Sequence, residues 1–323
     1  MDTHINPRMN YLVNNLFTAT VPLRNFKMST RNVFTILSAK DEERAIIPDG
    51  VDVRDVDFPD SHIKLLAEAK LGSVKFRPEN LWDVKRISYS NGEVKLEVGQ
   101  TNYGSVAVQR EIYKEYVFNS DQEKNMLAVQ NQLSGLGAIG IFYNKKKGTV
   151  FVGRRGDILV SGKVMPCLGA TVGTDTDLLG KLTSRAKQVM DFDVVDGANR
   201  IYTVGASRDS YQSGNVSVNV VIESDMSEYS MKKGMKAAAE RRNGSPEYKA
   251  VKALKVGEIG SFVKKEIYRR NPRSKEFYSG MVGNGLMALL QFQRGVDYNG
   301  YQSLIGDLTG RYCVRIVDSN PFA

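Results

Sequence analysis

Two adjacent arginines, Arg154 and Arg155, close a β-branched run, Thr149-Val150-Phe151-Val152-Gly153. Planar guanidinium groups donate hydrogen bonds in a fixed fork that matches phosphate and carboxylate oxygens. The pair is therefore a candidate phosphate clamp, with surface ion pairing as the bland alternative. Four aspartates follow: Asp175, Asp177, Asp191 and Asp193. Carboxylate oxygens suit hard cations, so Asp175, Asp177 and Asp191 are candidate metal ligands. Helix caps and solvated loops use the same residue type. A third set is basic. The segment from Lys232 to Lys275 carries 14 Lys and Arg against 4 Glu, with Tyr248, Phe262, Tyr268 and Phe277 interleaved or just beyond. Basic grooves with aromatic platforms hold single-stranded nucleic acid, which makes Lys264, Lys265, Arg269 and Arg270 candidate contacts. An ordinary amphipathic helix buries aromatics at these spacings too.

Other chemistries lack their parts. The two histidines, His4 and His62, lie early in the chain, and Cys167 and Cys313 are the only cysteines. A histidine zinc site or a Ser-His-Asp triad has no partners to draw on. Two distant thiols make no disulfide framework, so a reducing interior, the cytoplasm, is the expected compartment. Gly280-Met281-Val282-Gly283-Asn284-Gly285 invites a phosphate-loop reading but lacks the preceding strand and the following Lys-Ser/Thr; a helix break or close packing is the expected role. The composition, 41% hydrophobic and 25% charged over 323 residues, is that of a globular protein. No apolar run reaches the length that spans a bilayer, and Met1 to Pro7 lacks a basic stretch followed by an apolar one, so export is not expected. Net charge is +9. From residue 226 onward there are 17 Lys and Arg against 9 Asp and Glu, so the basic excess sits in the last third and favours phosphate-bearing partners.

The elements that must position these residues are legible in part. Tyr11 to Phe17 reads as a short helix and Asn32 to Leu37 as a strand. Asp60-Ser61 offers an N-cap for a helix from Ile63 to Leu71. Val84–Tyr89 and Val94–Val98 alternate around Asn91-Gly92, which tolerates the positive φ of a type I′ turn, so they form a hairpin. Mixed or helical segments run from Glu111 to Phe118 and from Gln122 to Gln132. Strands are expected at Ala138–Tyr143 and Thr149–Gly153, joined by the basic turn Asn144 to Gly148. A short extended piece, Ile158 to Val160, precedes a glycine-bearing loop from Val164 to Ala170. A helix follows from about Asp177 to Met190, with Leu178, Leu179, Leu182, Ala186, Val189 and Met190 near one face. Strands return at Arg200–Ala206 and Val216–Ile222. Helices are expected at Ser227–Arg242, Glu258–Arg270 and Lys275–Arg294. Leu304 to Asp318 closes the chain, with Tyr312–Val317 strand-like.

The order strand, hairpin, strand, arginine-rich exit, loop, helix resembles a Nudix-type hydrolase over roughly Val84 to Asp225. In that family the strand–loop–helix signature is G-x5-E-x7-R-E-U-x-E-E-x-G-U, where U is aliphatic. The resemblance implies an α/β/α sandwich whose helix glutamates ligate Mg²⁺ or Mn²⁺ beside a substrate diphosphate. Gly169 matches the first glycine, and Asp175 falls at the first glutamate. Arg154-Arg155 is similar to the arginine pair that often ends the second family strand. The helix departs from the signature. In strict register Thr183-Ser184 replaces Arg-Glu, and Lys187-Gln188 replaces Glu-Glu. Aligning Asp193-Val194 with the terminal pair instead puts Met190-Asp191 at Glu-Glu. Neither register recovers more than one acid there, too few hard oxygen ligands for Mg²⁺.

The expected fold is α/β, or α+β: a mixed sheet flanked by helices, with an N-terminal α+β region over residues 1–130 and a Nudix-like domain with a basic helical C-terminal part over 131–323. The leading expectation for function is binding of a nucleotide or other diphosphate-bearing ligand, with hydrolysis weakened or lost. An active metal-dependent pyrophosphohydrolase with displaced acids is the second reading. A nucleic-acid-associated or assembly protein, possible in a virus, is the third. No membrane role is expected.

Overall fold

Leu136-Gly137-Ala138-Ile139-Gly140-Ile141-Phe142-Tyr143-Asn144 is apolar almost throughout, and all but two of its residues are buried. A strand with this pattern must be covered on both faces, and it forms the centre of the molecule. The computed structural model describes residues 15–17, 21–22, 34–38, 80–90, 93–102, 135–156, 162–174, 178–209, 215–244, 246–267, 280–281 and 283–310. The expected elements at 60–71, 111–132, 158–160 and 312–317 lie outside them.

The strands are β1 (Asn15–Phe17), β2 (Val21–Pro22), β3 (Phe34–Ser38), β4 (Asn80–Ser90), β5 (Glu93–Asn102), β6 (Leu136–Asn144), β7 (Thr149–Arg155), β8 (Val164–Pro166), β9 (Leu168–Thr171), β10 (Arg200–Asp209), β11 (Asn215–Glu223) and β12 (Tyr248–Lys255). The helices are α1 (Leu178–Met190), α2 (Val194–Gly197), α3 (Glu228–Arg241), α4 (Ile259–Ile267), α5 (Gly283–Val296) and α6 (Tyr298–Gly310). The main sheet is mixed and runs β1-β10-β11-β6-β7-β12, with β2 on β10, β8 on β7 and β9 on β6. β6 pairs in parallel with β11, and its hairpin partner β7 is antiparallel. A second sheet has the order β3-β5-β4. Its hairpin pairs Ser90 with Glu93, which leaves Asn91-Gly92 as the two-residue connection the sequence calls for.

Adjacent side chains on β6 identify the two layers that cover it. The Phe142 ring meets Phe192, just past α1, edge to face at 5.3 Å. The Tyr143 ring meets Phe292 of α5 at 5.0 Å. Successive strand residues point to opposite faces, so α1 and α5 lie on opposite sides of the sheet. α3 packs beside α1, while α4 and α6 pack with α5. The fold is α+β, a mixed sheet between two helical layers. α1 turns Leu178, Leu182, Ala186, Val189 and Met190 inward; each buried leucine contributes about 1.5–3 kcal/mol relative to exposure. A polar bridge fixes α5 to the sheet. Asn219 Nδ2 donates to Gln291 Oε1 at 2.6 Å and to Ser207 Oγ at 3.2 Å, and Gln291 Nε2 donates to the Ala206 carbonyl at 2.8 Å. Among the described residues, no helix is long and apolar enough to cross a membrane.

Five sequence expectations are corrected. Asn15–Phe17 is a strand, not part of a helix, because the edge of β10 offers Arg208, Ser207 and Ala206 as pairing partners. The segment 164–171 is not a loop. β6 and β7 diverge beyond their turn, and β8 pairs with β7 while β9 pairs with β6. β12 is a strand inside a segment with no strand expected. α5 begins at Gly283, since Met281 is already bridged to Val164. Tyr298–Gly310 forms α6, where no helix was expected. The Gly280–Gly285 stretch does mark close packing: a Cβ at Gly285 would press on Met165.

Candidate functional site

Strand alternation separates the two arginines at the end of β7. Arg154 points to the α4 face. Its Nη1 donates to the Gly162 carbonyl at 2.7 Å, and its Nη2 donates to both carboxylate oxygens of buried Glu266, at 2.9 and 3.1 Å. Arg155 points to the α1 face. Its Nη2 lies 3.4 Å from Oε1 of buried Glu247, and its Nη1 donates to Met165 Sδ at 3.3 Å. The other Glu247 oxygen accepts from Arg185 Nη2. Arg185 in turn donates from Nε to the Gly169 carbonyl at 3.3 Å. One carboxylate thus takes two guanidinium groups, and the chain Arg155–Glu247–Arg185–Gly169 ties β7, the start of β12, α1 and β9 together. It carries a net charge of +1 in a largely water-excluded place.

Local backbone makes this possible. Gly156 N–H donates to the Glu247 carbonyl at 2.8 Å and docks the two strands at that end. The Tyr248 ring lies against Gly153, where any Cβ would overlap it, and the Arg155 guanidinium sits 6.0 Å from the ring centroid. Burial pushes the Tyr248 phenol well above its usual range, and the same is true of the buried Cys167 thiol. Neither group is a nucleophile at neutral pH. Two buried donors in this cluster, Arg155 Nε and Tyr248 OH, have no hydrogen-bond partner among the described residues.

The acids are placed differently. Asp175 and Asp177 lie outside the described residues. Asp191 sits at the end of α1 with φ 53°. Its carboxylate meets Lys187 Nζ at 2.8 Å, Arg241 Nη2 at 2.8 Å and Arg241 Nη1 at 2.9 Å. These hydrogen bonds, from Arg241 first and then Lys187, lower its pKa to about 2. Asp193 is the N-cap of α2, accepting from the N–H groups of Val195 and Asp196. α1 itself bears Lys181, Arg185 and Lys187 and no acid. No three residues of metal-ligating type gather among the described residues. Of the described acids, Asp191 is held by Lys187 and Arg241 and Asp193 caps α2, whereas a divalent cation needs several hard oxygens around it.

On the other face, Lys264 Nζ pairs with Asp307 Oδ2 of α6 at 2.6 Å, fastening the two helices. Lys265 is exposed and lines a groove of about 490 Å³ between α4 and the β7–β12 edge, which Arg154 and Phe262 also line. Arg269 and Arg270 lie outside the described residues. Sequence reasoning missed Arg185, Glu247 and Glu266. Arg185 had a usable signal, the one arginine on a helix expected to carry acids. The two glutamates had none, being ordinary members of a basic segment.

No family model matches this chain, and no curated protein matches it. Solved structures do. The Deinococcus radiodurans protein DR0079 is 12% identical, with 58% of this chain and 90% of that chain covered, at a TM-score of 0.33. The E. coli dihydroneopterin triphosphate pyrophosphohydrolase is 11% identical, with 50% and 95% covered, at 0.30. A MutT/nudix family protein from Enterococcus faecalis is 10% identical, with 62% and 92% covered, at 0.26. Superpositions this loose transfer no residue roles.

Proposed function

We propose that this chain is a Nudix-like domain that binds a nucleotide or other diphosphate-bearing ligand, with metal-dependent hydrolysis weakened or lost. One observation carries the reading. The helix that follows the β9 strand and its loop carries Ser184, Lys187 and Gln188 where the family signature calls for glutamates, and it presents Arg185 toward Gly169 and Glu247. A Lewis-acid site needs clustered oxygens, whereas this helix offers Lys181, Arg185 and Lys187. Cations of this kind favour an anion directly, without a bridging metal. Arg154 and Arg155 are our candidates for phosphate contact: Arg154 lines an open groove, and Arg155 shares one carboxylate with a second arginine. Asp191, held by two cations, is a poor metal ligand, because a metal would have to displace both.

The test pairs binding with turnover. Isothermal titration with nucleoside diphosphate derivatives in EDTA should show binding that Mg²⁺ leaves unchanged. Product analysis with Mg²⁺ or Mn²⁺ should show turnover far below about 1 s⁻¹, the low end of ordinary enzyme rates. Turnover at that rate, abolished by Asp175→Ala or Asp191→Ala, would establish an active hydrolase with displaced acids. Absence of binding in both conditions would remove the reading.

A further inference from the structure

We propose that the sheet edge formed by β12 and α4 holds a single strand of nucleic acid, at a site that shares only Arg154 with the proposed nucleotide function. β12 is the last strand in the path of the main sheet. Its sequence, Tyr248-Lys249-Ala250-Val251-Lys252-Ala253-Leu254-Lys255, has three lysines and no acid, and all three are exposed. Eight strand residues span about 26 Å. Lys252 faces the groove, whereas Lys255, on the other face of the strand, reaches the β6–β7 turn: its Nζ donates to the Lys147 carbonyl at 3.0 Å, and Val256 N–H donates to the Gly148 carbonyl at 3.0 Å. Lys145 and Lys147 are exposed there. Lys265 adds a cation from α4.

The nearby acids are already engaged. Glu266 takes Arg154, and Asp225 takes Lys146. Glu228 takes Lys232 and the Ala253 N–H of the strand itself. Glu258 accepts from the Lys255 N–H. Lys145, Lys147, Lys252, Lys255 and Lys265 form no ion pair among the described residues, so the strip keeps a positive field. Within it lies the groove of about 490 Å³, with Phe262 half-buried in its wall and the Lys252 ammonium 5.9 Å from the ring centroid. Charge that tracks a phosphate backbone, beside a ring on which a base stacks, is the physical recipe for single-strand binding. Paired bases cannot reach such a ring, so a duplex does not fit the proposal. Lysines on an edge strand also deter sheet-to-sheet pairing. That role requires neither a groove nor an aromatic wall.

The experiment uses the full chain and fluorescence anisotropy across a salt series, in EDTA and without free nucleotide, so it is independent of the diphosphate reading. The probes are a labelled oligouridylate, the same strand made abasic, and a duplex of equal charge. The oligouridylate should bind more tightly than either of the others. Removing two phosphate contacts with the pair Lys252→Ala and Lys265→Ala should flatten the slope of log K against log salt by about 1.4. Phe262→Leu should weaken oligouridylate binding about fivefold or more at unchanged slope, and Phe262→Tyr should restore it. The pair Lys233→Ala and Lys236→Ala removes the same charge from α3, on the opposite face, and should change little. Circular dichroism melts of each variant separate unfolding from lost contact, with Phe262→Tyr deciding the ring's role if Phe262→Leu does not fold. No oligouridylate binding at low salt overturns the proposal. So does equal loss in the α3 pair, which would mean net charge alone. Equally tight binding of the abasic strand reduces the edge to a polyanion patch and also overturns it.

Discussion

Asp191 has a left-handed φ of 53° and two cationic partners, so backbone and charge are both at stake at one residue. Asparagine tolerates the left-handed region about as well as aspartate does, so Asp191→Asn removes the charge alone. The folded pKa of about 2 lies below the unfolded value near 4. A depressed carboxyl pKa stabilises the fold above the unfolded pKa, and that contribution is lost as pH falls through the folded one. Lys187 and Arg241 are more than half exposed, so solvent screens the pairs and holds the effect to about 1 kcal/mol or less. Thermal melts should place the variant slightly below wild type at pH 7. The two should converge between about pH 4 and pH 2, and a gap that persists at pH 2 would mean a backbone effect. Glu247 is a harsher case. Glu247→Gln leaves two guanidinium groups facing each other with no counter-charge, and breaking a buried pair costs about 3–5 kcal/mol. Urea unfolding should show a loss of that order. A loss under about 1 kcal/mol would mean that water already compensates Arg155 and Arg185.

At the scale of elements, the β7–β12 pairing depends on Gly153. A methyl group there overlaps the Tyr248 ring, so either the ring or the strand must shift. Gly153→Ala should destabilise by about 1–3 kcal/mol, the usual cost of overpacking. Adding Tyr248→Leu should recover part of that loss by clearing the space. Chemical denaturation of the single and double variants measures the coupling directly; additive losses would show that the ring is not the obstacle. The same pairing explains where the arginines go. A register shift lies between Tyr248 and Ala250, which sets Tyr248 beside Arg155 and leaves Arg154 on the groove side.

For the whole molecule, the acid-free α1 and the engaged Asp191 and Asp193 predict a simple thermal signature. A ligand that binds only the folded state raises the midpoint by mass action. Millimolar Mg²⁺ or Mn²⁺ alone should leave the melting temperature unchanged, whereas a nucleoside diphosphate in excess should raise it by the same amount in EDTA and in Mg²⁺. A rise with the metal alone, measured by differential scanning fluorimetry, would place a cation site in this chain.

Local patterns fixed much of this protein from its sequence. The Asn91-Gly92 hairpin, the apolar β6, the turn before β7, the face of α1 and the extent of α3 follow from side-chain period, capping and turn chemistry, which act over a few residues. The lack of acids on α1 was legible in the same way. β12 was not. Its buried residues are Tyr248, Val251 and Leu254, a spacing of three that reads as helix. The strand is covered on both faces, with Val251 opposite Gly153 and Leu254 opposite Val150, so alternation is lost and only pairing with β7 makes it a strand. The partners of the arginine pair were equally hidden. Glu266 is 112 residues from Arg154, and nothing local marks either glutamate as a counter-ion. Which guanidinium meets which carboxylate is decided when β12 docks on β7 and α4 closes over the edge, because burial without a counter-charge is too costly for these groups to remain apart.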